Sequence, residues 1–218
     1  MKKILTIVFA SLFSFSAAQA IEVTVGVGYN LGVFAAEGKE ENYARASNSI
    51  DETTVEYGAF DDSYANVLIE VGNEMGAIGL AWHETLQTPN NVNEAAGPGD
   101  TNTSSVSVDF DSYVQLYLLA RLPFGLYFKG GYGEADVIVN ETQKSGNTYN
   151  DTSIEGLIAG LGYQYNADNG IGIRAEVMGH SFDDITVNNG KTNTTNLNVI
   201  GISDMIGING NISLVKSF

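Results

Sequence analysis

The chain has 218 residues, no cysteine and 26 acidic against 10 basic side chains, a formal charge of −16 at pH 7. That charge repels phosphate and excludes a nucleic-acid partner, and without cysteine no disulfide holds the fold. The length suits one domain, and no Pro-, Ser- or charge-rich linker divides it.

The N-terminus carries Lys2 and Lys3, an apolar run from Ile4 to Phe15, and then Ala18-Gln19-Ala20. This order of charge, apolar core and small residues predicts a secretory signal peptide over residues 1–20, leaving a mature chain that begins near Ile21. The run falls short of the roughly 20 apolar residues that a membrane anchor needs.

From Ile21 the chain alternates. Ile21, Val23, Val25, Val27, Tyr29, Leu31 and Val33 share one side, and Glu22, Thr24, Gly26, Gly28, Asn30 and Gly32 the other. A strand tilted across a bilayer needs about 9–11 residues of this rhythm, and few soluble strands offer as many. No later stretch approaches about 18 consecutive apolar residues, so spanning helices are excluded. The remaining backbone that satisfies its own hydrogen bonds in lipid is a closed barrel.

Similar segments recur down the chain. Ala65, Val67, Ile69 and Val71 lie in phase, as do Ile78, Leu80 and Trp82 after the break Asn73-Glu74-Met75. Val106, Val108, Phe110, Val114, Leu116 and Leu118 come next, then Leu126, Phe128 and Tyr132 beyond Leu122-Pro123-Phe124-Gly125. Leu157, Ala159, Leu161, Tyr163 and Tyr165 precede a turn at 166–170, followed by Ile171, Ile173, Ala175 and Val177. Ile206, Ile208, Ile212, Leu214 and Phe218 close the series.

The segments make eight strands, with short turns at about 73–75, 122–125 and 166–170 alternating with long polar connections at about 35–62, 87–105, 140–153 and 183–205. Short periplasmic turns and long external loops are the asymmetry of transmembrane barrels, and an even count puts both ends on the periplasmic side. Promoting Thr53–Phe60 and Leu197–Ile202 to spanning strands would give ten and break the alternation. These pieces are read as strand extensions above the membrane or as local hairpins.

Phe218 in phase with Leu214 and Ile212 resembles the C-terminal signal by which outer-membrane barrels are recognised by their assembly machinery. Lys216 departs from that pattern, but its ammonium can snorkel to the interface. Together with Leu126-Tyr127-Phe128-Lys129-Gly130-Gly131-Tyr132-Gly133 and Gly160-Leu161-Gly162-Tyr163-Gln164-Tyr165, these features give a chain that resembles the small outer-membrane β-barrel family of the OmpA transmembrane domain and the OmpX-like proteins. The expected fold is all-β: an eight-stranded antiparallel transmembrane up-and-down barrel of meander topology over residues 21–218. The peptidoglycan-binding domain of full-length OmpA relatives has no counterpart in the sequence, so a wall-anchoring role is not expected.

If the apolar phase faces lipid, the opposite phase places Glu22, Glu70, Arg121, Lys129, Arg174 and Glu176 inside the lower half of the barrel. An eight-stranded barrel has room for side chains alone, so three acids and three bases are expected to pair and plug it. Inward Gly26, Gly28, Gly79, Gly131, Gly160, Gly162 and Gly172 are expected to make room for the basic arms. Aromatic girdles are expected at Phe124, Phe128, Tyr163, Tyr165 and Phe218 below, and at Trp82, Phe110 and Tyr132 above.

Catalysis and metal binding are not expected. His180 and Ser181 are adjacent on a strand and point to opposite faces, Phe182 stands where an in-phase serine would be needed, and His83 has only Thr85 nearby. Asp109 and Asp111 share one face near the outer rim, too few oxygens for calcium. Glycine spacings such as Gly26-x-Gly28 lack the helix of a nucleotide fingerprint. No cofactor is therefore expected.

The first external loop carries Glu37, Glu40, Glu41, Asp51, Glu52, Glu56, Asp61 and Asp62 against Lys39 and Arg45, while the others are rich in Asn, Thr, Ser and Gly. The expectation is a monomeric, non-enzymatic barrel in outer-membrane lipid and lipopolysaccharide, structural and adhesive in role, with acidic loops available to an extracellular ligand. A narrow channel for small solutes is the alternative, and a lipid A-modifying enzyme ranks third.

Overall fold

The computed structural model describes residues 21–44, 49–84, 86–87, 93–94, 104–142, 148–192 and 197–218. The expected signal peptide at 1–20 lies outside these, as do Arg45, Thr85 and the 193–196 tract.

The strands are β1 (Glu22–Tyr43), β2 (Ile50–Asn73), β3 (Gly76–His83), β4 (Leu86–Gln87), β5 (Asn93–Glu94), β6 (Ser104–Arg121), β7 (Leu126–Thr142), β8 (Thr152–Asn166), β9 (Ile171–Phe182), β10 (Ile185–Asn188) and β11 (Asn198–Ser217). Eight of them run in the order β1-β2-β3-β6-β7-β8-β9-β11, each antiparallel to the next, and β11 returns to pair with β1. The ring is an eight-stranded up-and-down barrel. The short β4 and β5 continue the wall beside β6, and β10 flanks the upper part of β11.

Local chemistry sets the short turns. Asn73 Oδ1 accepts the amides of Met75 and Gly76 at 2.8 and 3.3 Å, tying the β2–β3 turn. A single 3-10 turn, Pro123–Gly125, joins β6 to β7 with φ of 67° at Phe124 and 85° at Gly125. Gly170, at φ 80°, supplies the left-handed corner before β9.

Of the stretch expected as a long connection, 35–62, the parts 35–43 and 50–62 are wall instead. β1 and β2 pair from Glu22↔Gly72 to Tyr43↔Ile50, and β1 pairs β11 as far as Asn42↔Asn198. Polar residues there do not form a loop because each backbone group of β1 has a strand on either side, and the side chains above the bilayer meet water whichever face they take. Of the two readings of Thr53–Phe60 and Leu197–Ile202, both pieces are strand extensions of β2 and β11. The 183–205 connection likewise contains β10 and the start of β11.

Two bulges reverse the in–out rhythm. Ser112 at φ 51° adds a residue to β6 between Asp111 and Val114, and Asp204 at φ 51° adds one to β11 opposite Ala35–Glu37. A bulge re-aims every side chain beyond it. Val114 and Leu118 below the first bulge face lipid, but Phe110 above it is only 2% exposed and points into the lumen. Phe110 therefore does not belong to the external girdle expected from the run Val106 to Leu118.

Candidate functional site in the barrel lumen

Inward side chains stand in layers along the lumen. At the periplasmic end Arg121 Nη2 lies 3.1 Å from Glu22 Oε1, and its Nη1 donates to the Asn73 carbonyl at 2.5 Å. Glu22 Oε1 also accepts the hydroxyls of Thr24 and Ser217 at 3.0 and 2.9 Å.

Above this, Arg174, with 0% of its side chain exposed, sets Nη1 and Nη2 on the two carboxylate oxygens of Glu70 at 2.6 and 2.8 Å. Its Nε and Nη2 reach Gln164 Oε1 at 3.1 and 2.7 Å, and the Tyr117 hydroxyl donates to Glu70 Oε1 at 2.7 Å. Lys129 Nζ lies 3.6 Å from Glu176 Oε1 and 4.0 Å above the Tyr117 ring. The six inward charges thus stand as three acid–base pairs. They are unequal: Arg174–Glu70 is a bidentate pair with further donors and acceptors, whereas Glu176 Oε1 and the Tyr127 hydroxyl have no hydrogen-bond partner among the described residues.

Three of the seven inward glycines, Gly79, Gly131 and Gly162, make room for aromatic rings, while Gly26, Gly28, Gly160 and Gly172 adjoin aliphatic, thioether or amide side chains. Tyr117 has Gly79 and Gly131 as its direct cross-strand neighbours, and Tyr127 stands opposite Gly162, where a Cβ would collide with the phenol ring. At these three positions tyrosines occupy the space instead of the basic arms, with the Arg174 guanidinium 5.2 Å above the Tyr127 ring.

A neutral layer follows. Asn209 Nδ2 donates to Asn30 Oδ1 at 2.8 Å, Asn30 Nδ2 to Asn66 Oδ1 at 3.0 Å, and Asn211 Nδ2 to both oxygens at 3.0 and 2.9 Å. Because Asn209 spends its amide hydrogens on Asn30, its oxygen faces His180 Nε2 at 2.5 Å, which assigns the proton to Nε2 and leaves Nδ1 to accept from the Tyr113 hydroxyl at 3.0 Å. Over this sits an apolar cap in which Phe34, Phe110, Tyr113, Val137, Ile154, Phe182 and Met205 are buried together. The rings of Phe34 and Phe60 stack at 5.4 Å, and those of Phe60 and Phe110 at 6.4 Å.

The expected chemistry-bearing residues fall as follows. His180 is buried and Ser181, Asp183 and Asp184 are exposed, so His180 meets Tyr113 and Asn209 instead of a serine or carboxylate. His83 lies among Tyr64, Tyr113 and Gln115 of the lumen, and neither ring nitrogen has a hydrogen-bond partner among the described residues. Asp109 and Asp111 flank the inward Phe110 and so lie on the outer face, Asp111 directly opposite Asp136. No group of three metal-ligating side chains is assembled among the described residues.

The profile of the outer membrane protein beta-barrel domain family matches residues 5–200. The chain belongs to that family. It is an integral protein of the bacterial outer membrane, with the closed ring of strands as its membrane-spanning body. No curated protein sequence matches it. Among solved structures, the outer membrane protein OprG from Pseudomonas aeruginosa has the same fold, with a TM-score of 0.56 at 13% identity over 92% of this chain and 97% of that one. Ail, the attachment invasion locus protein of Yersinia pestis, solved with the heparin analogue sucrose octasulfate, matches at 11% identity, TM-score 0.44, over 91% and 99%. The outer membrane protease OmpT from Escherichia coli matches at 10% identity, TM-score 0.44, over 89% and 97%.

For a member of this family the outward face reads directly as a lipid surface. Val25, Val27, Ile69, Leu80, Leu118, Leu161, Ile173, Val177 and Ile208 are exposed around the ring, with Tyr29 and Trp82 above and Phe124, Tyr163, Tyr165 and Phe218 below. Ile212, Leu214 and Phe218 all face this surface, and Phe218 exchanges backbone hydrogen bonds with Val23. Lys216 donates to the Asn169 carbonyl in the periplasmic turn, with Nζ 5.3 Å from the Phe218 ring.

Beyond the outer surface of the membrane, Tyr149 donates to Asn198 Oδ1 at 2.6 Å, and Asn198 Nδ2 donates to Glu40 and to Asn42. Lys39 bonds Glu41 on the outside of β1, which holds the carboxyl below and the ammonium above their ordinary values. Sequence reasoning missed Tyr117, Gln164 and the asparagine layer as partners, although all share the inward phase of their strands.

Proposed function

We propose that the protein is a non-enzymatic barrel whose lumen is sealed by its own side chains and whose work lies at its surfaces: it occupies and stiffens the outer membrane and displays an acidic wall extension to the exterior. The observation that carries this reading is the fully buried Arg174, held by Glu70 and Gln164 across the lumen, with the apolar cap above it. Charges removed from water are retained when matched and hydrogen-bonded, and a pair this deeply buried supports a lumen closed at its level. On this reading the partners are outer-membrane lipid and lipopolysaccharide, the assembly machinery that reads Ile212, Leu214 and Phe218, and an extracellular ligand of the acidic extension. The protein works as a monomer, with residues 1–20 as the export signal.

A narrow ion-conducting lumen is the second reading, favoured by the loosely held Lys129–Glu176 pair at 3.6 Å. Planar-bilayer recording separates the two. The sealed barrel gives no steady open-channel steps, whereas steps abolished by changing Arg174 or Glu176 overturn the proposal. An acyl loss from lipopolysaccharide that depends on His180 would overturn its non-enzymatic part.

A further inference from the structure

His83 ends β3 at the level where the asparagine layer meets the apolar cap. Its neighbour across the ladder is Asn66, and the outward Trp82 of the upper girdle precedes it. The residue is 3% exposed and stands between two rings of the lumen, Tyr64 edge-on at 5.5 Å and Tyr113 at 5.0 Å. Both tyrosines pack within the cap, and Tyr113 carries the contact on to His180, whose Nδ1 accepts its hydroxyl. Whatever displaces His83 therefore disturbs the underside of the seal.

The layer below is matched amide to amide, and this place is not. Both nitrogens of His83, the Tyr64 hydroxyl and Gln115 Oε1 have no hydrogen-bond partner, which makes four of the six such buried side-chain atoms among the described residues. An unpaired polar group in a dry interior is costly, and a neutral imidazole keeps that cost small because it carries no charge.

A charged imidazole finds little to meet it. Facing it among the described residues are Asn66 and Tyr64 from β2, Gln115 and Tyr113 from β6, His180 from β9 beyond Tyr113, and Lys129 of β7 from below. The charge that acts on His83 is thus another cation. The lumen carboxylates are engaged: Glu70 with Arg174, Glu176 with Lys129, and Asp62, which stands beyond Tyr64, with the Ser63 amide at 2.6 Å. An imidazolium here has two N–H groups and a positive charge that water satisfies better than the sealed interior does. The hydrated form takes up a proton that the sealed form does not accommodate, so the sealed form loses ground as pH falls through the ordinary histidine range, about 6.5.

We infer that His83 is an acid-operated latch of the upper seal: once protonated, it draws water in beneath the apolar cap and loosens the cap toward the exterior, while the layers from Asn66 down stay closed. The inference rests on the sealed-lumen reading and adds the condition that releases the upper half of that seal.

The test places a single cysteine at Ala135, a buried member of the cap, in the membrane-inserted barrel. Its labelling by a small aqueous methanethiosulfonate reagent is followed from pH 8 to pH 4 and divided by that of a cysteine at exposed Ser63, which cancels the titration of the thiol itself. The expected ratio is low and level above about pH 7 and rises below about pH 6.5 by up to about tenfold per pH unit, the limit for one proton. His83→Phe, which keeps a ring between the tyrosines, and His83→Gln are expected to hold the ratio low at pH 5, with gel mobility showing that each is folded. The imidazole nitrogen resonances of His83 give a reading that needs no variant, because they are expected to titrate together with the labelling ratio. A rise that persists in the folded variants, one that begins only near pH 4 where carboxylates titrate, or a His83 ring that stays neutral while the ratio climbs would each overturn the inference. A ratio that stays low at pH 5 overturns it and leaves the sealed lumen standing, whereas a ratio near one already at pH 8 defeats the sealed lumen and the latch together.

Discussion

Arg174 and Glu70, 104 residues apart in sequence, meet inside the barrel as a bidentate pair with oxygens and nitrogens 2.6 and 2.8 Å apart. The guanidinium fork matches the carboxylate in plane and in spacing, a match that lysine cannot provide. Lys129 and Glu176, one layer away at 3.6 Å, show the looser alternative.

Removing one member of the Arg174–Glu70 pair leaves the other buried and uncompensated. Arg174→Gln or Glu70→Gln alone is expected to cost about 3–5 kcal/mol, and the double change Glu70→Gln with Arg174→Met less than the sum of its parts. Urea unfolding in lipid vesicles, read by the gel shift between folded and unfolded barrel, measures both.

Gly162 leaves the space that the Tyr127 ring fills, and the three atoms nearest a Cβ there all belong to that side chain. Gly162→Ala is expected to cost about 1–3 kcal/mol from overpacking, and most of the loss is expected to disappear in a Tyr127→Ala background. The same unfolding measurement, run as a double-mutant cycle, decides it.

The extra residue at Ser112 sends Phe110 inward. Deleting Ser112 removes the bulge and is expected to turn Phe110 to the exterior and Asp109 and Asp111 into the lumen. A tryptophan at position 110, with Trp82 changed to Phe, reports the flip: shielded from acrylamide with the bulge present, quenched without it.

Tyr149 holds Asn198 in the wall extension. Tyr149→Phe leaves a buried amide oxygen without that donor, expected to cost about 1–3 kcal/mol locally. Hydrogen exchange should speed up at Asn198–Ile202 and in β10 while amides inside the membrane keep their protection.

The membrane-facing half of the fold was legible because a residue of a spanning strand has only lipid or lumen to face, so Ile21 to Val33 spelled out the wall residue by residue. That logic stops at Ser112 and Asp204, where ordinary residues take a left-handed backbone and reverse the phase with no mark in composition. It weakens again above the bilayer, where the wall of Glu37–Tyr43 and Ile50–Asp61 is polar and its pairing is set by partner strands instead of by lipid. The inward positions of the six charges followed from the same alternation, but their partners depend on the register of distant strands. Neutral side chains such as Gln164 and Asn211 carry no charge to point toward a partner, so their network emerges only with the closed ring.

The most direct test of a sealed lumen uses the absence of native cysteine. A single cysteine at Leu68, which is buried between the ion pairs and the asparagine layer, is compared with one at exposed Ser63 in the membrane-inserted barrel, using a small aqueous thiol reagent. A sealed lumen predicts rapid labelling at 63 and none at 68 until the barrel is unfolded. Labelling at both positions at similar rates would contradict it.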